Sequence, residues 1–115
     1  MAKDNNREAQ ASIFGQVASL ANLVEYQTGS VVSRTLAKQP SGSVTLFAFD
    51  RDQALSEHTA PFDALVHVIE GGVEISIADA THRLAAGDVI IMPANVPHAV
   101  RAVERFKMVL IMLKA

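Results

Sequence analysis

The chain contains no cysteine and no tryptophan, and its aromatic residues are one tyrosine and five phenylalanines. Without thiols there are no disulfides, no thiolate nucleophile and no cysteine zinc site. A basic cluster is also missing: 10 Lys and Arg stand against 12 Asp and Glu, giving a formal charge of -2, and the cations are scattered. Such a surface offers no electrostatic footprint for a phosphate backbone, so no nucleic acid partner is expected. No apolar run approaches the length that a bilayer demands, and the opening "MAKDNNREAQ" is polar with both signs of charge. It reads as neither secretory signal nor membrane anchor, so the expectation is a cytoplasmic protein without a membrane partner. The segment "QPSGSV" lacks the lysine and the length of a phosphate-binding loop, and Ser41, Ser43 and Ser56 have no spaced His and Asp to activate them.

What is present is apolar residue in quantity. Half of the 115 residues are hydrophobic and 19% are charged, enough apolar surface for one domain with a real core. Residues 1–12 are expected to form a flexible tail and 13–115 the domain. In "SIFGQVASLANLVEY" the spacing of Ile13, Val17, Leu20 and Val24 is roughly helical, but Gly15 and the β-branched residues weaken a helix. The reading is a short strand near Ile13 and then a single helical turn that Ser19 would cap.

From Ser30 the chain becomes a series of short β-like runs: "SVVSRTLA", "SVTLFAF", "DALVHVIE", "VEISIA", "THRLA", "DVIIM", "HAVRAV" and "FKMVLIML". Turn chemistry divides them at Pro40 to Gly42, Gly71-Gly72, Asp79-Ala80, Ala86 to Asp88 and Pro93 to Pro97. Short strands at regular spacing predict an all-β antiparallel sandwich or barrel. In "VEISIA" apolar and polar residues alternate, as in a sheet wet on one side. In "FKMVLIML", Phe106, Met108, Leu110 and Met112 take one face while Val109, Ile111 and Leu113 take the other, so both faces want cover. A second copy of the chain is the economical cover, and a homodimer is predicted.

From about Ser30 to the C-terminus the sequence resembles the cupin family, small jelly-roll β-barrels. The family's first motif runs Gly, five residues, His-x-His, three or four residues, Glu, six residues, Gly. Anchored on Gly71, its glutamate falls on Ala64 and its two histidines on His58 and Ala60, and the opening glycine is missing. The second motif runs Gly, five residues, Pro-x-Gly, two residues, His, three residues, Asn. Here "GDVIIMPANVPHAVRA" supplies Gly87, Pro93 and His98, with Asn95 for the second glycine and Ala102 for the final asparagine. Asn is the residue that, after glycine, best accepts a left-handed turn.

The resemblance implies a site inside the barrel, where metal-binding cupins hold iron, manganese, zinc or nickel on three His and one Glu. In this chain His58 and His98 match ligand positions and Ala60 and Ala64 do not donate. Two imidazoles under-fill a metal site unless a carboxylate joins them, and Asp63 and Glu57 are the nearest. Strand alternation aims both away from the pocket. The ligand pocket implied is Ala60, Ala64, Val66, Val100 and Met108, roomier and less polar than a metal site, with Met92 and Met112 as further soft lining. Three readings stay open: a divalent-metal enzyme, a metal-free ligand-binding or sensor homodimer, and acid–base catalysis by His58 or His98 without metal. His67 is expected at the sheet surface or a dimer interface, and His82 in a structural or solvated place.

Overall fold

The computed structural model describes residues 12–114, so all of the expected tail except Ser12 lies outside the described residues. Nine strands follow a single turn of 3-10 helix at Leu20–Leu23. They are β1 (Val31–Gln39), β2 (Gly42–Phe49), β3 (Ala54–His58), β4 (Asp63–Glu70), β5 (Gly72–Ile77), β6 (Ala80–Ala85), β7 (Val89–Met92), β8 (His98–Ala102) and β9 (Phe106–Leu113). The five-stranded sheet has the order β1-β2-β9-β4-β7 and the four-stranded sheet β3-β8-β5-β6, with every pairing antiparallel. This is the all-β antiparallel architecture that the strand pattern predicts, in the jelly-roll form that the resemblance implies.

Two expectations for the N-terminal segment are corrected. No strand forms near Ile13, which lies ahead of a turn in which Gln16 N–H donates to the Ile13 carbonyl. The 3-10 turn forms, but Ser19 gives its carbonyl to Asn22 N–H and makes no side-chain cap. A turn this short leaves few amide donors for a cap to satisfy. A strand unseen in the sequence appears at Ala54–His58: "ALSEH" offers one large apolar residue, and the strand is an edge exposed along most of its length.

The main core lies between the sheets, where Phe49, Val66, Val68, Val73, Ile75, Phe106 and Met108 are fully or almost fully buried. Phe49 and Phe106, register partners across β2 and β9, stack with ring centroids 4.6 Å apart. At one end of this core Gly71 holds φ +82°, and a Cβ there would lie 1.9 Å from the Arg105 carbonyl oxygen. Only glycine fits that crossing of β4 into β5.

A second core lies on the outer face of the five-stranded sheet. Leu46 and Ala48 of β2 and Val109 of β9 alternate with the inward residues and pack under Leu20, Leu23, Val24 and Tyr26. Three polar contacts fasten this N-terminal strap: Lys107 Nζ donates to the Ala21 carbonyl at 2.6 Å, Arg34 to the Leu23 carbonyl at 3.1 Å, and the Tyr26 hydroxyl to Glu70 at 2.5 Å. Part of the apolar outer face that the sequence assigned to a second subunit is thus covered by the chain itself. The remainder, around Leu65, Val89, Ile91 and Leu113, has no such strap among the described residues, and Val89, Ile91 and Leu113 are exposed.

Candidate functional site

A β-bulge builds the site. Leu55 pairs with Val100 and His58 pairs with His98, so two residues of β3, Ser56 and Glu57, stand opposite Ala99 alone. In an unbroken strand residues three apart face opposite sides. The extra residue restores the parity, so that His58 joins Leu55 on the inner side and Glu57 is exposed. His98 and Val100 of β8 face the same interior, and both are buried.

The two imidazoles meet edge to face, with centroids 4.4 Å apart and planes at 67°. Each is tethered by the carbonyl two residues before it: His58 Nδ1 lies 2.7 Å from the Ser56 oxygen and His98 Nδ1 3.2 Å from the Val96 oxygen. A carbonyl only accepts, so both Nδ1 atoms donate, and in the neutral form of such a ring Nε2 keeps a lone pair. The bulge therefore supplies both the position and the tautomer of His58.

Behind the rings is a cavity of about 250 Å³. His58, at the end of an exposed strand, forms its rim, and His98, only 5% exposed, lies within. Leu55 and Val100 line it from the four-stranded sheet, and Ala64, Met92, Met108, Leu110 and Met112 from the five-stranded sheet. Ala60 and Phe62 close it from the β3–β4 loop. That loop is held: Asn95 N–H donates to the Ala60 carbonyl at 2.7 Å, and Ala94 N–H to Asp63 Oδ1 at 2.8 Å. Asn95 has φ +64°, the left-handed turn expected where the motif has glycine.

Of the residues singled out from the sequence, the fold brings together His58, His98, Ala60, Ala64, Val100 and Met108, with Met92 and Met112 beside them. Val66 shares the inward face of Ala64 but is fully buried in the core and does not reach the cavity wall. Leu55, Phe62 and Leu110 were not singled out. Leu55 belongs to the strand that the sequence hid, while Leu110 was visible in the alternation of β9. His67 is exposed on the outer face, paired with Val89 and Val109, and His82 is exposed in β6.

The residues present do not fit a resident ion. Ala60 and Ala64 carry no donor, and the Asp63 carboxylate is spent on the Ala94 amide. Among the described residues no group of three or more His, Cys, Asp or Glu is placed to hold a metal. Two imidazoles fall short of the three protein ligands of catalytic zinc and of the two histidines and carboxylate that hold non-haem iron. The tethers of both rings are carbonyls, so no carboxylate is hydrogen-bonded to either Nδ1 to support an acid–base pair.

Comparison with protein families matches residues 46–114 to the Cupin domain. Among solved structures, a conserved protein of unknown function from Streptococcus pyogenes is similar at 38% identity and TM-score 0.83, over 87% of this chain and 88% of that one. A cupin superfamily protein from Desulfitobacterium hafniense DCB-2 is similar at 32% identity and TM-score 0.81, over 84% of this chain and 88% of that one. A cupin 2 conserved barrel domain protein from Leptotrichia buccalis has 39% identity and TM-score 0.79 over 82% of this chain, which spans 46% of that one. No curated protein gives a match. The motif residues, the paired sheets and these likenesses agree that the chain belongs to the cupin family.

Proposed function

We propose that this cupin is a metal-free binding module that captures a small organic molecule inside its barrel, acting as a homodimer. The observation that carries the reading is the cavity: about 250 Å³ bounded by nine apolar side chains, with two tethered imidazoles as its polar groups. An apolar pocket with a few convergent polar groups is the usual form of a small-molecule site. The exposed apolar residues Val89, Ile91 and Leu113 on the outer face support the second copy. Among the described residues no helix is long and apolar enough to cross a membrane.

Thermal denaturation in metal-free buffer against a panel of small metabolites tests the reading, because a ligand of the folded state raises stability by mass action. A rise that saturates with concentration supports it. Absence of any shift across apolar, hydroxylated and acidic members of the panel overturns it. The reading with a divalent ion on His58 and His98 is favoured by one observation, the carbonyl bonds at both Nδ1 atoms, which metal-bound imidazoles also show. Elemental analysis after exposure to iron, manganese, zinc and nickel separates the two: stoichiometric metal that His98→Ala abolishes would replace our proposal.

A further inference from the structure

We infer that the ligand class this barrel selects is the phenols: a single aromatic ring whose hydroxyl donates to the imidazole pair. The inference rests on the binding-module reading and goes further by naming the chemistry. Three observations converge on it.

The first is the sense of the hydrogen bond. With both Nδ1 atoms committed to the Ser56 and Val96 carbonyls, the polar atoms left to the two cavity-lining rings are the Nε2 atoms, which in a neutral imidazole accept a hydrogen bond and donate none. A ligand that only accepts, such as an ether, ketone or carboxylate, leaves those lone pairs unpaired and loses affinity for it. A hydroxyl donor satisfies them.

The second is that polarity is confined to one end. Apart from the histidines, every lining side chain is apolar, so a ligand with polar groups at both ends would bury one without a partner. The body of the ligand must be hydrocarbon, and its single polar head must lie at the mouth beside His58.

The third is the character of the apolar wall. Met92, Met108 and Met112 bring three thioethers to one cavity, with Phe62 at its mouth. Sulfur against an aromatic edge is worth roughly 0.3 to 1.5 kcal/mol per contact, and an offset aromatic pair a similar amount, beyond simple burial. A flat polarisable ring collects both and a saturated ring collects neither. Size agrees: an apolar cavity of roughly 150 Å³ already takes benzene. The larger space here, about 250 Å³, fits one ring with a hydroxyl and a small substituent.

The test compares four probes of nearly one shape, phenol, anisole, toluene and cyclohexanol, by calorimetric titration of the full chain in metal-free buffer. One satisfied hydrogen bond predicts that phenol binds about tenfold more tightly than anisole or toluene. Phenol is also expected to bind several-fold more tightly than cyclohexanol. His58→Ala, at the exposed end of β3, should erase the advantage of phenol over anisole, and His98→Gln should reduce it. Long-range ¹H–¹⁵N spectra of the imidazoles add a readout independent of folding, with the Nε2 signals moving on addition of phenol and not of toluene. Equal affinity for phenol and anisole, or for phenol and cyclohexanol, overturns the inference, as does a phenol preference that survives both substitutions. If none of the four binds while other metabolites stabilise the fold, the phenol class is wrong and the binding module stands. If nothing binds, both fall.

Discussion

His58 faces His98 across a strand pair in which β3 carries one extra residue. The pair sits in register at the end of the β3–β8 ladder, but Leu55 and Val100 are also in register, and only the bulge at Ser56-Glu57 reconciles the two. Deleting Glu57 removes the extra residue, so His58 would follow Leu55 by two positions in a regular strand, on the same inner face and still opposite His98. The expected result is a folded protein in which the imidazole-to-imidazole nuclear Overhauser contacts persist. Loss of those contacts would show that strand parity and register alone do not position the ring.

The two alanines predict how the barrel would respond to a restored donor. Ala64 is buried on the cavity wall where the family motif carries glutamate. Without metal, Ala64→Glu buries a carboxylate with no partner and should cost a few kcal/mol. With zinc, the carboxylate and two imidazoles make a three-donor set, and a metal at 100 times its Kd returns about 2.7 kcal/mol. Thermal denaturation with and without zinc should therefore show a large metal-dependent rise for the variant and none for the parent chain.

How much of this was legible in the sequence follows from where the signal was local. Every strand but β3 showed itself as a short β-like run bounded by turn residues, among them Gly71, Gly87 and Asn95, which hold the positive φ angles those turns need. His98 was legible for the same reason, since it follows a fixed turn. β3 was not, because "ALSEH" has one large apolar residue and a bulge that breaks its period. The sequence predicts a single helical turn after Ser19, but the packing of Leu20, Leu23, Val24 and Tyr26 against Leu46 and Val109 is a long-range contact that periodicity does not report. The same gap made the outer apolar face look wholly open to a second subunit.

The strap carries a stability prediction. Leu46 is fully buried beneath it, and Leu46→Ala should cost about 2 to 5 kcal/mol by cavity formation. Burial, the hydrogen bond to Glu70 and the Glu70 charge all push the Tyr26 hydroxyl well above its ordinary pKa of 10.0, so it stays a donor throughout the useful range. Tyr26→Phe should then lose about 1 to 2 kcal/mol, measured by urea denaturation, with little change in the cavity. A larger effect on ligand binding than on stability would mean that the strap communicates with the barrel.

On the other half of that sheet, Ile91 is 53% exposed and Leu65, its register partner on β4, is half-buried. If a second copy covers this strip, Ile91→Glu places a charge at the centre of an apolar contact. Sedimentation equilibrium should show a dimer for the parent chain and a monomer for the variant, with the circular dichroism of the sheet retained. A parent chain that sediments as a monomer removes the homodimer from the proposal.

Acid should loosen the contacts that Asp50 makes. Asp50 Oδ2 accepts from Gly29 N–H at 2.6 Å, and Oδ1 accepts from Arg51 N–H at 2.9 Å and Arg105 Nε at 2.8 Å. The Gly29 amide foremost, then the Arg105 guanidinium and the Arg51 amide, bring the Asp50 pKa from 3.8 down to about 2. Because the folded value lies below the unfolded one, the unfolded state binds the proton more readily. The contribution to stability is complete above the unfolded value and is lost as pH falls toward the folded value of about 2. Asp50→Asn keeps the size of the side chain and lacks the charge. The stability difference between parent and variant should therefore be constant near neutrality and shrink between about pH 4 and pH 2, which chemical denaturation at stepped pH measures. A difference that does not change across that window would mean that Asp50 contributes through its hydrogen-bonding shape alone, without help from its charge.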